Sequence, residues 1–299
     1  MAAVLPASIE HLALLSNFAF SCKITNPNMH TLFDVIWIVV PDIHYNTIYD
    51  YLLKSNSLHS VMRIVRESSV LPDGKKFGKY DPWFTQQDIK LGISAFIRTE
   101  FYLCFDADIM CGRELNYRDL FAADGRARTS EEKVLSFYAY TGGNLNKTCS
   151  SVKFPLPTIT ASTRMMAFTP LPFYTHILFS LADFLEHRER EPWIQYLMRL
   201  HTKNKKWTEY TLYWVFGIYI NAYNNFHYPI YSKEFCVSLG PKEGVAYKWF
   251  SSTSNSKKSP FVGVNDHDKA LDISQLSREL RVALLKQPRE TVMKTEKHT

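Results

Sequence analysis

Apolar and polar positions fall into short alternating blocks along the first third of the chain, and each block has a readable period. AAVLP (2–6) is an apolar run closed by proline and reads as a buried strand. SIEHLALLSNFAF (8–20) reads as a helix with Ser8 placed to cap it. DVIWIVVPD (34–42) is a β-branched strand, HYNTIYDYLLKS (44–55) an amphipathic helix, and SVMRIV (60–65) a third strand. TQQDIKLGISAFI (85–97) is helical, and FYLCFDAD (101–108) is the strand after it. Strand–helix–strand alternation with apolar strands implies a parallel sheet covered on both faces. Ligands of such sheets bind at the carboxyl ends of the strands, where PAS, PD and DAD fall here.

Beyond about residue 112 the pattern is less regular. ELNYRDLF (114–121) reads as a short helix or turn, GRARTSEE (125–132) as a polar loop, and TGGNLNKTCSSVKFPLPT (141–158) as turn-rich. Helical patterns follow near 171–186 and 191–202, and another starts at TEYTLYW (208–214). SSTSNSKKSP (251–260) reads as a mobile loop, FVGV (261–264) as a short strand, and DISQLSRELRVALLKQ (272–287) as a terminal helix capped by Asp272. No internal repeat is present.

Composition narrows the class. With 299 residues, 46% hydrophobic and 21% charged, the chain is an ordinary globular one with enough apolar content for a real core. The formal charge of +6, with much of the excess after residue 240, suits anionic ligands or peripheral contact with a membrane surface. No nucleic-acid-binding module accompanies it, so no nucleic-acid partner is expected. Cys22, Cys104, Cys111, Cys149 and Cys236 are scattered without a Cys-x-x-Cys pair, which argues for reduced thiols in a cytosolic setting. MAAVLPASIEHLALL lacks the basic start of a signal peptide, and FYTHILFSLADFL and YTLYWVFGIYI are too short and interrupted to span a bilayer. A soluble chain without a transmembrane segment is expected.

Four stretches carry candidate chemistry. Asp106 and Asp108 stand at i and i+2 after a buried run, so both carboxylates can reach one site. They read either as a solvated strand end or as ligands of a hard cation, Mn²⁺ or Mg²⁺; the buried run before them favours the cation. In the preceding helix Ile89, Ile93, Phe96 and Ile97 form an apolar face. Gln86, Gln87 and Lys90 lie on another face, either its wet side or a contact for a diphosphate. Glu209 follows Thr208 at a helix start beside Trp207, as a dipole-stabilised cap residue or as a general base. His267, in SPFVGVNDHDKA, is a candidate nitrogen ligand for the cation, with His227 as the competitor. The glycine-rich dinucleotide loop, the P-loop lysine motif, the serine-hydrolase elbow and the His-Glu-x-x-His zinc motif are all absent.

Taken together, WFTQQDIKL (83–91) followed by YLCFDAD (102–108) resembles the GT-A glycosyltransferases. The likeness is to a little-characterised branch with a Trp-aromatic-x-Gln-Gln-x-x-Lys-Leu helix before its Asp-x-Asp strand. Glu209, Tyr210 and Tyr213 resemble a Glu-Tyr-x-x-Tyr segment further along that branch. The resemblance implies an α/β GT-A domain over 1–299: a Rossmann-like nucleotide-sugar half with a mixed sheet (1–112), a more variable acceptor half (113–270), and a C-terminal helix with a basic tail (271–299). It implies transfer of a hexosyl or pentosyl group from a nucleotide sugar, uridine-linked ahead of guanosine-linked, to a glycan hydroxyl, with inversion slightly favoured. Asp106 and Asp108, helped by His267, would hold the cation. Pro6, Ala7, Ser8, Asp42, Trp83, Gln86, Gln87, Lys90, Asp106 and Ala107 would line the donor pocket. Glu209 would be the base, and Trp207 and Tyr210 would meet the acceptor. With no anchor, the resemblance points to a cytoplasmic enzyme, bacterial or virus-encoded. Two alternatives are a nucleotide-sugar-binding protein without turnover and a haloacid-dehalogenase-type phosphatase, which also places Asp-x-Asp after an apolar strand.

Overall fold

A computed structural model describes residues 1–71, 82–134, 144–166, 169–203, 205–239 and 259–264, with 278, 281 and 282. His267, most of the 251–260 loop and nearly all of the predicted terminal helix lie outside the described residues.

The predicted apolar runs of the first third form the central sheet. Strands β1 (Ala2–Pro6), β2 (Val35–Val40), β3 (Met62–Arg66) and β4 (Phe101–Cys104) are parallel to one another, in the order β3-β2-β1-β4. Their alternation divides the core in two. Ala2, Val4, Tyr102 and Cys104 enter one apolar cluster, and Ala3, Leu5, Phe101 and Leu103 enter the other. Helix Leu12–Thr25 supplies Leu15, Phe18, Ala19 and Cys22 to the second cluster, and helix Thr175–Glu189 supplies Ile177, Leu178, Leu181 and Leu185 to the first. Each Leu, Ile or Phe among them contributes roughly 1.5–3 kcal/mol on burial, which is why the strands must be apolar on both faces.

The second half departs from the sequence pattern in several places. Strand β5 (Ile109–Cys111) directly follows Asp108. GRARTSEE is not a loop: Ala127–Lys133 is strand β6, between β7 (Arg164–Met166) and β9 (His227–Tyr231). Its polar side chains find buried partners, Thr129 on His227 Nδ1 at 2.8 Å and Glu131 accepting from the Tyr223 hydroxyl at 2.8 Å, so a polar sequence is stable inside. The turn-rich 141–158 stretch contains a helix, Asn144–Val152, whose Leu145, Thr148, Cys149 and Val152 are buried at helical spacing. The helical pattern near 171–186 opens with a strand instead. β8 (Leu171–Tyr174) pairs antiparallel with β4 and completes the five-stranded sheet, and the helix begins at Thr175. The patterns at 191–202 and 208–214 are helices Trp193–Thr202 and Glu209–Tyr219.

A third small sheet joins β10 (Cys236–Leu239), β11 (Phe261–Val264) and β5, with Gly263 opposite Ile109. A Cβ at Gly263 would stand 3.3 Å from Ile109 Cδ1, so this close pairing depends on the missing side chain. All five cysteines are free. Among the described residues no helix is long and apolar enough to cross a membrane.

Candidate active site

The parallel strands deliver their carboxyl ends to one edge. Ala7 N donates to Val39 O at 2.9 Å, and Phe105 N donates to Val4 O at 2.8 Å. Pro6–Ser8, Asp42 and Asp106 therefore leave the sheet side by side. Ser8 serves its own turn, its hydroxyl 2.9 Å from His11 Nδ1, rather than capping the helix. The Asp42 carboxylate accepts from the backbone N of Ser68 at 3.0 Å and from its hydroxyl, tying the end of β2 to the segment after β3. Ala107 is buried between the two motif aspartates.

At the centre is Lys90, which is 4% exposed. The helix Pro82–Gly92 gives way to a 3₁₀ turn at Ile93–Phe96, so the spacing that would bury Phe96 is not kept, and Phe96 is 52% exposed. The face that carries Gln87 and Lys90 is turned inward. Lys90 Nζ donates to Asp106 Oδ1 at 2.6 Å, Glu209 Oε1 at 2.9 Å and the Tyr210 hydroxyl at 3.0 Å. A buried ammonium is tolerated only with such compensation. Burial alone would pull Lys90 down, but Asp106 and Glu209 outweigh it and hold it well above the ordinary lysine value. Its charge is thus matched inside the protein rather than presented bare to a ligand. Gln87, also buried, accepts from Glu209 N at 3.3 Å through its side-chain oxygen and fixes the start of helix Glu209–Tyr219. Gln86 is half-buried one residue away, and Trp83 is exposed at the helix start.

Asp106 is held on both oxygens, with Thr169 donating to Oδ2 at 2.6 Å. Burial pushes this carboxyl up, yet Lys90, the Thr169 hydroxyl and the charge of His11 overcome it and leave it below the usual range. Asp108 takes the opposite course. Burial, then the negative charge of Asp106, push it up to about 7. Two carboxylates two residues apart have therefore been driven apart in affinity for protons, and Asp108 is the one that forms no ion pair among the described residues. That is the environment a divalent cation would relieve. Among the described residues no group of three or more His, Cys, Asp or Glu side chains is arranged to hold a metal.

Two expectations are corrected by burial. Trp207 is 1% exposed, stacked on His201 with centroids 4.5 Å apart and donating to Leu197 O at 3.3 Å; its faces are core surface, not an acceptor platform. His227 is enclosed between Thr129 and Tyr213, whose hydroxyl lies 2.7 Å from Nε2, and burial pulls its pKa down to about 3; it is a core histidine and not a rival metal ligand. Tyr210 is half-buried and belongs to the Lys90 cluster. Thr169, His11 and Tyr102, whose hydroxyl donates to Lys90 O at 2.7 Å, complete the site without having been singled out in the sequence. Thr169 enters only because β8 inserts beside β4, and no local pattern announces that pairing.

The mostly parallel sheet with an antiparallel edge strand and helices on both faces matches the GT-A fold of solved glycosyltransferases. The structure superposes on the bifunctional glycosyltransferase WbbM with a TM-score of 0.53 at 11% identity, over 96% of this chain and 50% of that one, so the chain spans about half of that protein. Similarity also extends to the galactosyltransferase LgtC, solved with donor and acceptor sugar analogues (TM-score 0.49, 11% identity, 94% of this chain and 96% of that one). Mouse xyloside xylosyltransferase 1 is similar as well (TM-score 0.45, 11% identity, 88% and 97%). Residues 23–254 match DUF6492, a family of unknown function, and the chain belongs to that family. No curated protein matches the sequence.

Proposed function

We propose that this chain transfers a sugar from a nucleotide sugar, uridine-linked ahead of guanosine-linked, to a glycan hydroxyl. The observation that carries the reading is the Asp106–Lys90–Glu209 cluster, which joins the Asp-x-Asp edge of a GT-A fold to the start of a helix 119 residues after Lys90 in sequence. The bifunctional glycosyltransferase WbbM shares the fold, which supports the same class of reaction here.

In this reading Asp108, with Asp106 beside it, holds Mn²⁺ or Mg²⁺ together with the donor diphosphate. The bound cation would supply Lewis-acid stabilisation of the departing diphosphate. Asp106, fixed by Lys90 and Thr169, orients the pair. Pro6–Ser8, with the turn that Asp42 braces, would face the nucleoside. Glu209 Oε1 is held by Lys90, while among the described residues Oε2 accepts no hydrogen bond. That oxygen is the candidate acceptor for the proton of the glycan hydroxyl as its oxygen displaces the nucleoside diphosphate at the anomeric carbon, the inverting route.

The test is thermal stabilisation by a panel of nucleotide sugars with and without Mn²⁺, followed by donor turnover. Cation-dependent stabilisation by one donor, abolished in Asp108→Ala while that variant keeps its fold, is the expected result. Undiminished turnover in Asp108→Ala would remove Asp108 from the site. Stabilisation without any transfer or donor hydrolysis would leave a nucleotide-sugar-binding protein in place of an enzyme. Glu209→Gln should lower kcat far more than donor affinity; equal losses would assign Glu209 to binding.

A further inference from the structure

A cavity lies at the far end of β5 from Asp108. It measures about 380 Å³, at the small end of the range for ligand pockets of roughly 300–1,000 Å³. Ile230, Phe235 and Pro260 form its apolar wall, and Arg113, Asp119, Arg128 and Glu234 are its charged lining. The strand register separates it from the Asp108 edge. Gly112 N bonds Pro260 O at 2.9 Å, Phe261 faces Cys111, and only at Gly263 does β11 reach Ile109, next to Asp108. The intervening extended chain amounts to on the order of 10–15 Å.

The two arginines differ. Arg113 is engaged: Nη1 and Nη2 grip the two Asp119 oxygens at 2.8 and 2.6 Å, and Nη1 also donates to Glu114 O. Its Nε is buried without an acceptor. Arg128, on β6 opposite Tyr228, forms no hydrogen bond or ion pair among the described residues, and its Nε is buried and unsatisfied too. Glu234 lines the same cavity without pairing with it. A guanidinium cannot shed its proton, and among the described residues no carboxylate pairs with that of Arg128. Its planar fork matches a carboxylate or phosphate group.

We infer that this cavity is an anion-binding site, in which Arg128, helped by Arg113, receives the carboxylate or phosphate group of a small ligand, separate from the Asp106/Asp108 edge. The inference does not depend on the transfer reaction.

Isothermal titration at low ionic strength with inorganic phosphate and with glucuronate, using glucose as the uncharged control, tests it. One anion, or both, should bind at one site while glucose does not; phosphate alone or glucuronate alone identifies which group the fork takes. Arg128→Gln should weaken binding at least tenfold, and Asp108→Asn should leave it within twofold. Glu234→Gln, at an exposed position, should tighten binding, and this arm stands even if Arg128→Gln fails to fold. No binding of either anion overturns the inference. So does undiminished binding in Arg128→Gln, loss of binding in Asp108→Asn, or no tightening in Glu234→Gln.

Discussion

Replacing Lys90 by methionine removes a buried positive charge that faces two carboxylates at once, and the structure sets the scale of the consequence. The Lys90 and Glu209 side chains are each 5% exposed, and Asp106 is 37% exposed. Removing one partner of a fully buried pair typically costs about 3–5 kcal/mol, because the other charge stays behind uncompensated. Asp106 keeps the Thr169 hydroxyl and partial access to water, so its share is discounted for solvent screening, and the expected loss is about 3 kcal/mol. Urea unfolding at neutral pH measures it as a shift in midpoint at constant slope. The reasoning also fixes a sign. In the wild type Glu209→Gln should destabilise, since Lys90 loses a partner. On the Lys90→Met background the same change should stabilise by about 1 kcal/mol or more, since it removes a stranded charge. A Lys90→Met loss below about 1 kcal/mol, or Glu209→Gln acting equally in both backgrounds, would refute the claim that charge compensation organises this cluster.

Further predictions follow from the surrounding core. Trp207→Ala should cost about 3–5 kcal/mol of stability, measured by denaturation, as a large-to-small change in a closed core does; a stable variant with only weakened acceptor binding would restore Trp207 to the acceptor side. Asp88 is buried against His201, with Nε2 and Oδ1 3.7 Å apart, and burial, resisted by His201, pushes its pKa up to about 6. The folded state therefore binds this proton more tightly than the unfolded state. The contribution is full below the ordinary carboxylate value and is lost as pH rises through 6, about 3 kcal/mol in all. Stability against pH for wild type and Asp88→Asn should diverge between pH 4 and 7, and parallel curves would sink the assignment. His227 has the opposite sign. Its pKa of about 3 means the unfolded state takes up the proton first, so stability falls as pH drops from 6.5 toward 3, by up to about 5 kcal/mol. His227→Gln should flatten that acid limb, and an unchanged limb would place the acid sensitivity elsewhere.

What could be read in the sequence was whatever local pattern determines. β1, β2 and β4 are apolar on both faces because both faces are covered, and the Asp106/Asp108 pair is visible as the abrupt end of such a run. Lys90 and Glu209 were each recognisable as candidates, but their contact spans 119 residues and no periodicity encodes it. β6 went unread because its polar residues are satisfied by Tyr223 and His227, nearly a hundred residues later. Trp207 misled for a related reason: an aromatic next to an acid looks the same in a sequence whether it faces a cleft or a buried histidine.

The pairing of β5 with β11 has a temporal meaning. Asp106 and Asp108 leave the ribosome before Thr169, Glu209 and the strand at 261–264 that flanks β5. At about 5–20 residues per second, the roughly 150 residues between Asp108 and β11 take on the order of 10–30 s to synthesise. Until residue 209 is made, Lys90 lacks the second carboxylate that it grips in the folded protein. A ribosome stalled before residue 209 would thus hold the Asp-x-Asp edge without the carboxylate that completes the Lys90 cluster.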